Sequence, residues 1–233
     1  MTFADKVIAF NSKLRFTNVL PDGIEIMNPF KSNPHINQIA AEFYKKFYDD
    51  NKMRHMILGI NPGRFGAGVT GVPFTDSKRL TDMCGINSQG LQTHEPSSVF
   101  IYDVIGAFGG VKKFYSKFYI NSVCPLGFTI KSNRLRTVNY NYYDSLDLME
   151  ACYKFIVKSI RSQIDFGINT DACFCMGTGK NFKFLEKLNA KEKFFDNVIP
   201  LEHPRYVIQY KLKSKKVYID KYIDQLMFKM PAV

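Results

Sequence analysis

The residues best placed to do chemistry lie in a glycine-rich stretch that follows a short apolar run. Residues 56–60 (Met-Ile-Leu-Gly-Ile) predict a buried strand, and an Asn-Pro-Gly turn then forces the backbone to change direction. Asn61 is thereby presented just past the carboxyl end of a strand, which is where ligands bind in open α/β sheets. Glycines at positions 63, 66, 68 and 71 let the backbone approach a ligand closely.

Two further polar residues are predicted to reach the same edge of the sheet. Asn121 lies at the end of an alternating strand pattern at 118–123, and His203 follows an apolar strand at 197–201. Right-handed crossovers bring the carboxyl ends of parallel strands to one edge. We therefore expect Asn61, Asn121 and His203 to contribute to a single concave site.

The elements that must position these residues alternate along the chain. Helical patterns cover 2–16, 37–50, 96–108, 145–164, 180–188 and 215–228, and strand patterns cover 56–60, 118–123, 171–176 and 197–201. Strands that alternate with helices predict an α/β protein, a three-layer α/β/α sandwich with a central, mainly parallel four-stranded sheet. No linker or repeat divides the 233 residues, so one domain spanning 1–233 is expected.

Charge points to a polyanionic partner. The net charge is +11, and basic residues recur at 112–113, 131–136, 180–193 and 211–216. A merely solvated basic surface is the alternative, and charge alone does not distinguish DNA from RNA. A hydrophobic content of 45% excludes a disordered chain.

The remaining composition argues against a metal site, a membrane span and a secreted protein. The five cysteines form no CxxC pair, which favours buried free thiols over a metal or iron–sulfur site. The first residues lack a signal-peptide pattern, and no apolar run reaches the roughly 20 residues of a membrane span. We expect a soluble, cytoplasmic protein that associates with the nucleoid, uses no cofactor and is a monomer.

These motifs together resemble the uracil-DNA glycosylase superfamily, in particular its single-strand-selective monofunctional (SMUG-type) branch. The resemblance covers about residues 50–210 and rests on Gly59-Ile-Asn-Pro-Gly-Arg-Phe-Gly66 with Thr70-Gly-Val-Pro-Phe74, on Asn121-Ser-Val-Cys-Pro-Leu126, and on His203-Pro-Arg205. The last motif is shorter than the usual His-Pro-Ser-Pro-Arg. This departure suggests a divergent, bacterial SMUG-like subgroup.

The resemblance implies a role for each residue that handles the base. Asn61 orients a water toward the sugar carbon, and His203 donates a hydrogen bond to uracil O2 as negative charge builds there. Phe74 stacks on the flipped base and Asn121 reads its edge. Backbone N–H groups near Ile60 and Phe65 complete the O2 pocket, and Gly63 leaves room beside C5. Taken singly, Asn61 is also a turn former, His203 a loop histidine, Phe74 a core residue and Asn121 a strand-end cap.

Three further residues are predicted to contact DNA outside the base pocket. Arg205 and Tyr206 are candidates for entering the duplex or clamping a phosphate beside the flipped nucleotide. A surface arginine and a packing tyrosine are the alternative interpretation. Lys180, in Gly177-Thr-Gly-Lys-Asn181, is placed near DNA phosphate, although this motif lacks the spacing of a phosphate-binding P-loop.

The sequence thus predicts a metal-free, monofunctional DNA glycosylase of base-excision repair. It would flip uracil out of DNA, hydrolyse the N-glycosidic bond and leave an abasic site. One alternative is a glycosylase of the same fold for other deaminated or 5-modified bases. The other is a non-catalytic nucleic-acid-binding protein that kept the fold.

Overall fold

The strands form two sheets, of which the larger is parallel. The structure is a computed structural model, and it describes residues 1–88, 90–132 and 136–228. Its strands are β1 (Ile24–Met27), β2 (Arg54–Gly59), β3 (Phe118–Ser122), β4 (Gly127–Lys131), β5 (Thr137–Tyr140), β6 (Ile168–Met176) and β7 (Val198–Leu201). The larger sheet has the order β3-β2-β6-β7, and every adjacent pair in it is parallel. The predicted four-stranded parallel sheet is confirmed.

Helices connect the parallel strands and cover the sheet. They are α1 (Phe3–Lys13), α2 (Pro29–Ser32), α3 (Pro34–Tyr48), α4 (Ala67–Thr70), α5 (Ser77–Asp82), α6 (Pro96–Ala107), α7 (Val111–Tyr115), α8 (Leu146–Ile164), α9 (Lys180–Glu192), α10 (Pro204–Tyr210) and α11 (Lys215–Phe228). All six predicted helices are present, with ends shifted by a few residues. The α/β class and the flanking helices agree with the predicted sandwich.

The smaller sheet is an addition that the sequence patterns did not indicate. Strands β1, β4 and β5 pair antiparallel in the order β1-β4-β5. Strand β5 has an exposed burial pattern, so its residues lack the apolar alternation by which strands are recognised. This sheet matters for function because β5 and the turn after it lie over the glycine-rich loop that follows β2.

Strand β2 anchors the site because it is central and wholly buried. All six of its residues are buried, and it pairs with β3 on one side and β6 on the other. Continuous apolar burial is expected for a strand covered by helices on both faces. The chain leaves β2 at Gly59 and reaches Asn61 two residues later, at the carboxyl edge of the sheet.

Candidate active site

A cavity of about 390 Å³ opens at the carboxyl edge of the parallel sheet. This volume lies within the range of about 300–1,000 Å³ that is usual for small-molecule sites. The lining residues come from the segment between β2 and α5, from the last residue of β3, from the start of α6, from the β5 region, and from α10 with its N-cap. They are Ile60, Asn61, Pro62, Gly63, Ala67, Pro73, Phe74, Glu95, Ser97, Ser122, Asn139, Asn141, His203, Arg205, Tyr206, Gln209 and Tyr210.

The Asn61 amide is oriented by three backbone groups. Its Oδ1 accepts a hydrogen bond from the Tyr142 N–H at 3.2 Å. Its Nδ2 donates to the carbonyls of Tyr140 and Pro62, each at 3.4 Å. An N–H donor can pair only with the amide oxygen, so the amide cannot flip without losing these bonds. Oδ1 keeps a second lone pair that can hold a water in the cavity.

His203 is held as a neutral donor. Its Nδ1 accepts a hydrogen bond from the Arg205 N–H at 3.1 Å, which caps helix α10. Burial lowers the pKa of His203 to about 4, and the positive charge of Arg205 lowers it further. At neutral pH the ring therefore carries one proton, and the bond at Nδ1 places that proton on Nε2. The Nε2–H group is left free to donate to a ligand.

Phe74 closes one side of the cavity in a strained backbone conformation. Its φ is +52°, a left-handed value that is uncommon for a residue other than glycine. The ring centroid lies 6.4 Å from that of His203. A Cβ at Gly59 would stand 2.8 Å from Phe74 Cε2, so a glycine is required at the end of β2 for this ring position. The predicted stacking aromatic therefore lies beside the predicted donor.

The structure does not place Asn121 among the residues that line the cavity, unlike the expected arrangement. Strand β3 continues to Ser122, so Asn121 lies inside the sheet, paired with Leu58. Its Nδ2 donates to the Tyr119 hydroxyl at 2.7 Å, and its Oδ1 accepts from the Ser122 N–H at 2.7 Å. Successive side chains of a strand point to opposite faces. The buried amide therefore turns into the core, and Ser122 lines the cavity in its place.

The other predicted residues divide between the cavity and its surroundings. Ile60, Gly63, Arg205 and Tyr206 line the cavity. Phe65 is not among the lining residues; its ring is half exposed and packs beneath the Arg64 guanidinium, 4.1 Å from it. The expected contact of the backbone N–H near Phe65 with the base stays a prediction.

Lys180 lies in an adjoining cavity rather than in the main one. This second cavity shares Ile60, His203 and Tyr206 with the first, and the Gly177–Lys180 loop forms its other side. The ammonium group of Lys180 stands 6.0 Å from the Tyr143 ring. Among the described residues, Arg64, Lys180 and Arg205 form no ion pair, so their charges are available near the cavity. Arg134, in the basic run 131–136, lies outside the described residues.

Several cavity residues escaped the sequence analysis. Ser122 was missed by one position, and strand alternation was the signal that separates it from Asn121. Asn139 was missed together with β5, and its Oδ1 accepts from the Arg64 N–H at 3.0 Å, which ties the hairpin to the glycine loop. Glu95 has no local sequence signal, since only the fold brings it to the cavity.

The described residues contain neither a metal-ligand cluster nor a membrane-spanning helix. No group of three or more His, Cys, Asp or Glu side chains in them is arranged to hold a metal ion. The five cysteines are free and buried, as predicted. No helix in residues 1–88, 90–132 and 136–228 has the length and apolar content needed to cross a membrane.

Comparison with known proteins places the chain in a family. The family model described as "Uracil DNA glycosylase superfamily" matches residues 45–227. The chain is similar to the SMUG2 protein of Pedobacter heparinus, whose crystal structure it matches with a TM-score of 0.96 at 57% sequence identity, covering 98% of each chain. No curated protein matches the chain. Because the family model covers most of the chain and the SMUG2 match nearly all of it, the chain belongs to the uracil-DNA glycosylase superfamily, in its SMUG-type branch.

Proposed function

We propose that the protein is a monofunctional DNA glycosylase that hydrolyses the N-glycosidic bond of uracil in DNA and leaves an abasic site. One observation carries the proposal: a backbone-clamped Asn61 amide and a neutral Nε2–H donor on His203 line the same cavity, beside the Phe74 ring. This arrangement supplies a water-orienting acceptor, a donor for the leaving base and an apolar face for stacking. A nucleic-acid-binding protein without catalysis has no need for this combination.

The chemistry follows from what each group can do. The water oxygen held by Asn61 bonds to C1′ of the sugar, while the C1′–N1 bond breaks and leaves its electron pair on the base. The attacking water loses one proton as it becomes the hydroxyl group on C1′, and this positive charge equals the negative charge of the base anion that leaves. An amide is too weak a base to remove this proton early, so Asn61 acts by orientation. His203 Nε2–H stabilises the charge that develops on the base carbonyl oxygen.

Access to C1′ requires that the nucleotide leave the base stack. Base-modifying enzymes act on an extruded nucleotide or on a single strand. Arg205 and Tyr206 stand at the cavity on α10, both exposed, where they can contact the strand beside an extruded nucleotide. Lys180 and Arg64 add positive charge nearby for phosphate. DNA that contains uracil, single- or double-stranded, is the proposed substrate.

The position of Ser122 favours a second candidate function, which is excision of a wider range of bases. A serine hydroxyl rotates, so it can donate to one base edge and accept from another. A fixed amide, whose donor and acceptor cannot exchange places, discriminates more strictly between bases with different donor and acceptor patterns. Gly63 also leaves space, since a Cβ there would stand 3.5 Å from the nearest heavy atom, Asn139 Nδ2. Removal of 5-modified uracils or deaminated purines is therefore the alternative activity of the same site.

The decisive test is base excision from defined oligonucleotides. End-labelled strands carrying one uracil, 5-hydroxymethyluracil, hypoxanthine or xanthine are incubated single- and double-stranded, with and without subsequent alkali. We expect uracil to be released fastest and strand cleavage only after alkali. This last result reports a monofunctional enzyme, in keeping with a cavity that has no lysine among its described lining residues.

Two variants link the activity to the cavity. Asn61→Ala is expected to slow single-turnover excision by about 10²-fold or more, with DNA affinity nearly unchanged, because the lost interaction acts in the transition state. Asn197→Ala is the matched control, since Asn197 is exposed and precedes β7 at the opposite edge of the sheet. No excision of any of the four bases by the wild-type protein would refute the proposal.

A further inference from the structure

One carboxyl group that lines the cavity has no role in the chemistry described above. Glu95 lines the cavity together with Asn61, Phe74 and His203. Its Oε2 is buried and has no hydrogen-bond partner within the described residues. A buried polar atom without a partner is costly and rare, so it needs an explanation. Oε2 is enclosed against Gly66, and the carboxyl group to which it belongs lines the cavity, where a ligand can pair with that group.

The fold holds Glu95 firmly in this position. Its backbone N–H donates to Asp76 Oδ2 at 3.1 Å. Ser98 Oγ donates to the same Asp76 oxygen at 2.8 Å and also lies 2.7 Å from the Glu95 carbonyl. The side chain does not cap helix α6, although Glu95 occupies the N-cap position. The carboxyl group lies instead against Gly66 of the glycine loop.

The glycine loop after β2 provides the space for the carboxyl group. A Cβ built at Gly66 would overlap the Glu95 carboxyl atoms, so only glycine allows this approach. Gly66 belongs to the same loop as Asn61 and Gly63. The motif that presents the water-orienting amide thus also accommodates Glu95. Glu95 reaches the cavity from the start of α6 and lies against this loop, whereas His203 reaches it from the start of α10.

The surroundings of Glu95 favour its neutral form. Burial raises the pKa of Glu95 to about 7, and the negative charge of Asp76 contributes to the rise. The charged and titratable groups on the surrounding elements are Arg64, Asp76, Arg79, His94, His203 and Arg205. Arg79 lies 3.2 Å from Asp76 and offsets part of its charge. A neutral carboxyl group carries an O–H donor, which a carboxylate lacks.

We propose that Glu95 is a base-contacting residue that, as a neutral carboxylic acid, donates a hydrogen bond to a carbonyl oxygen of the flipped base. This inference rests on the proposed glycosylase function. Cleavage of the C1′–N1 bond leaves an anion that is delocalised over the carbonyl oxygens of the base. A second neutral donor stabilises this anion together with His203, whereas a carboxylate would repel it. The proton stays on Glu95 throughout, so the atom balance of hydrolysis is unchanged.

Three variants and a pH series test the proposal by single-turnover excision of uracil. For the wild-type protein, we expect the rate to fall about tenfold per pH unit on the alkaline side of neutrality, as Glu95 loses its proton. Glu95→Gln keeps a donor that does not titrate, so its rate should stay within about threefold of wild type at pH 6.5 and remain level up to pH 9. Glu95→Ala should be about 10²-fold slower at pH 6.5.

His94→Gln is the matched control for the pH profile. His94 is exposed, stands 3.8 Å from Asp76 and does not line the cavity, so it is a nearby histidine that can be replaced without changing the lining. This variant should keep both the wild-type rate and the alkaline decline. If its decline disappears, the profile belongs to His94 and the proposal is overturned.

A measurement without substrate checks the protonation state and the folding of each variant. A carboxyl pKa raised by folding makes the wild-type protein lose stability as the pH rises from its unfolded value toward about 7. Glu95→Gln should therefore raise the melting temperature more at pH 8 than at pH 5. Equal shifts at both pH values would contradict a neutral Glu95.

The outcomes separate this inference from the proposed function. If the wild-type protein excises no base, the glycosylase function fails. If it excises uracil and Glu95→Ala is as fast as wild type, only the role of Glu95 fails. If Glu95→Gln folds but is as slow as Glu95→Ala, a donor at this position does not suffice and the proposal is likewise overturned.

Discussion

The chemistry of this site depends on which atom each side chain turns toward the cavity. The Tyr142 N–H binds the Asn61 amide oxygen, which retains a second lone pair. The Arg205 N–H binds Nδ1 of His203, so the proton of the ring lies on Nε2 and is free to be donated. In both cases backbone N–H groups set the orientation. Preorganised dipoles of this kind need no rearrangement during the reaction, which is why they stabilise a transition state effectively.

Ser122 and Asn121 form a natural pair for testing which residue faces the base. Ser122→Ala should change the relative excision rates of uracil and other bases, with little change in melting temperature. Asn121→Ala removes the bonds to Tyr119 and to the Ser122 N–H inside the core, and should cost about 1–3 kcal/mol of stability. Excision rates on the matched substrates and thermal unfolding separate the two effects. A change in base preference for Asn121→Ala alone would restore Asn121 as the base reader.

His203 should make stability fall in mild acid. Its folded pKa of about 4 lies below the ordinary value of 6.5, so the unfolded chain binds more protons between these two values. The contribution of His203 is complete above pH 6.5 and is lost progressively as the pH falls toward 4. Between pH 7.5 and pH 5 we expect a loss of about 2 kcal/mol from this residue.

Urea unfolding of the wild type and of His203→Gln at both pH values measures this loss. The glutamine variant should lose less stability, by about the same 2 kcal/mol, because the other groups titrate alike in both proteins. Identical losses would show that His203 is not neutral in the folded protein.

At the scale of elements, three segments together support the residues of the cavity. They are the end of β2, the glycine loop that follows it, and strand β5, which pairs with β4. Gly59 makes room for the Phe74 ring, and Asn139 on β5 accepts from Arg64 in the glycine loop. Phe74 adopts a left-handed backbone conformation in this position, which is energetically unfavourable for a residue other than glycine. The small antiparallel sheet therefore serves to hold the loop that carries Asn61.

Gly59→Ala tests this support. The added methyl group would lie 2.8 Å from the Phe74 ring, so the ring must move. We expect a loss of about 1–3 kcal/mol of stability and slower excision, because overpacking displaces the stacking face. Gly106→Ala in α6 is the control: a Cβ there meets no atom within 4 Å, so stability should stay level or rise. Wild-type excision by Gly59→Ala would argue against stacking on Phe74.

At the scale of the molecule, the charge of +11 should govern DNA affinity. Lysines and arginines that neutralise phosphates release counterions, so affinity falls as salt rises. We expect a log–log slope of about −2 to −5 for binding to a uracil-containing strand, and Arg205→Gln should reduce its magnitude by about 1. Fluorescence anisotropy over a series of salt concentrations measures both slopes. A slope near zero would show that the basic surface does not bind DNA.

The parallel sheet, the helices around it and the loops after β2 and β7 could all be predicted from the sequence. These features follow from local patterns, since apolar runs that end in Gly and Pro mark buried strands and their turns. The chemistry of Asn61 and His203 was predictable because a turn motif and a strand end place each of them at the sheet edge.

The neighbours that complete the site depend on contacts that form only in the folded protein. The exposed strand β5 shows no apolar alternation, and it pairs with β4 through backbone hydrogen bonds that any residue type can form. The one-residue difference between Asn121 and Ser122 depends on where β3 ends, and a shift by one residue reverses the face of a side chain. Glu95 meets Gly66 through a contact between residues distant in the chain, which no local pattern encodes.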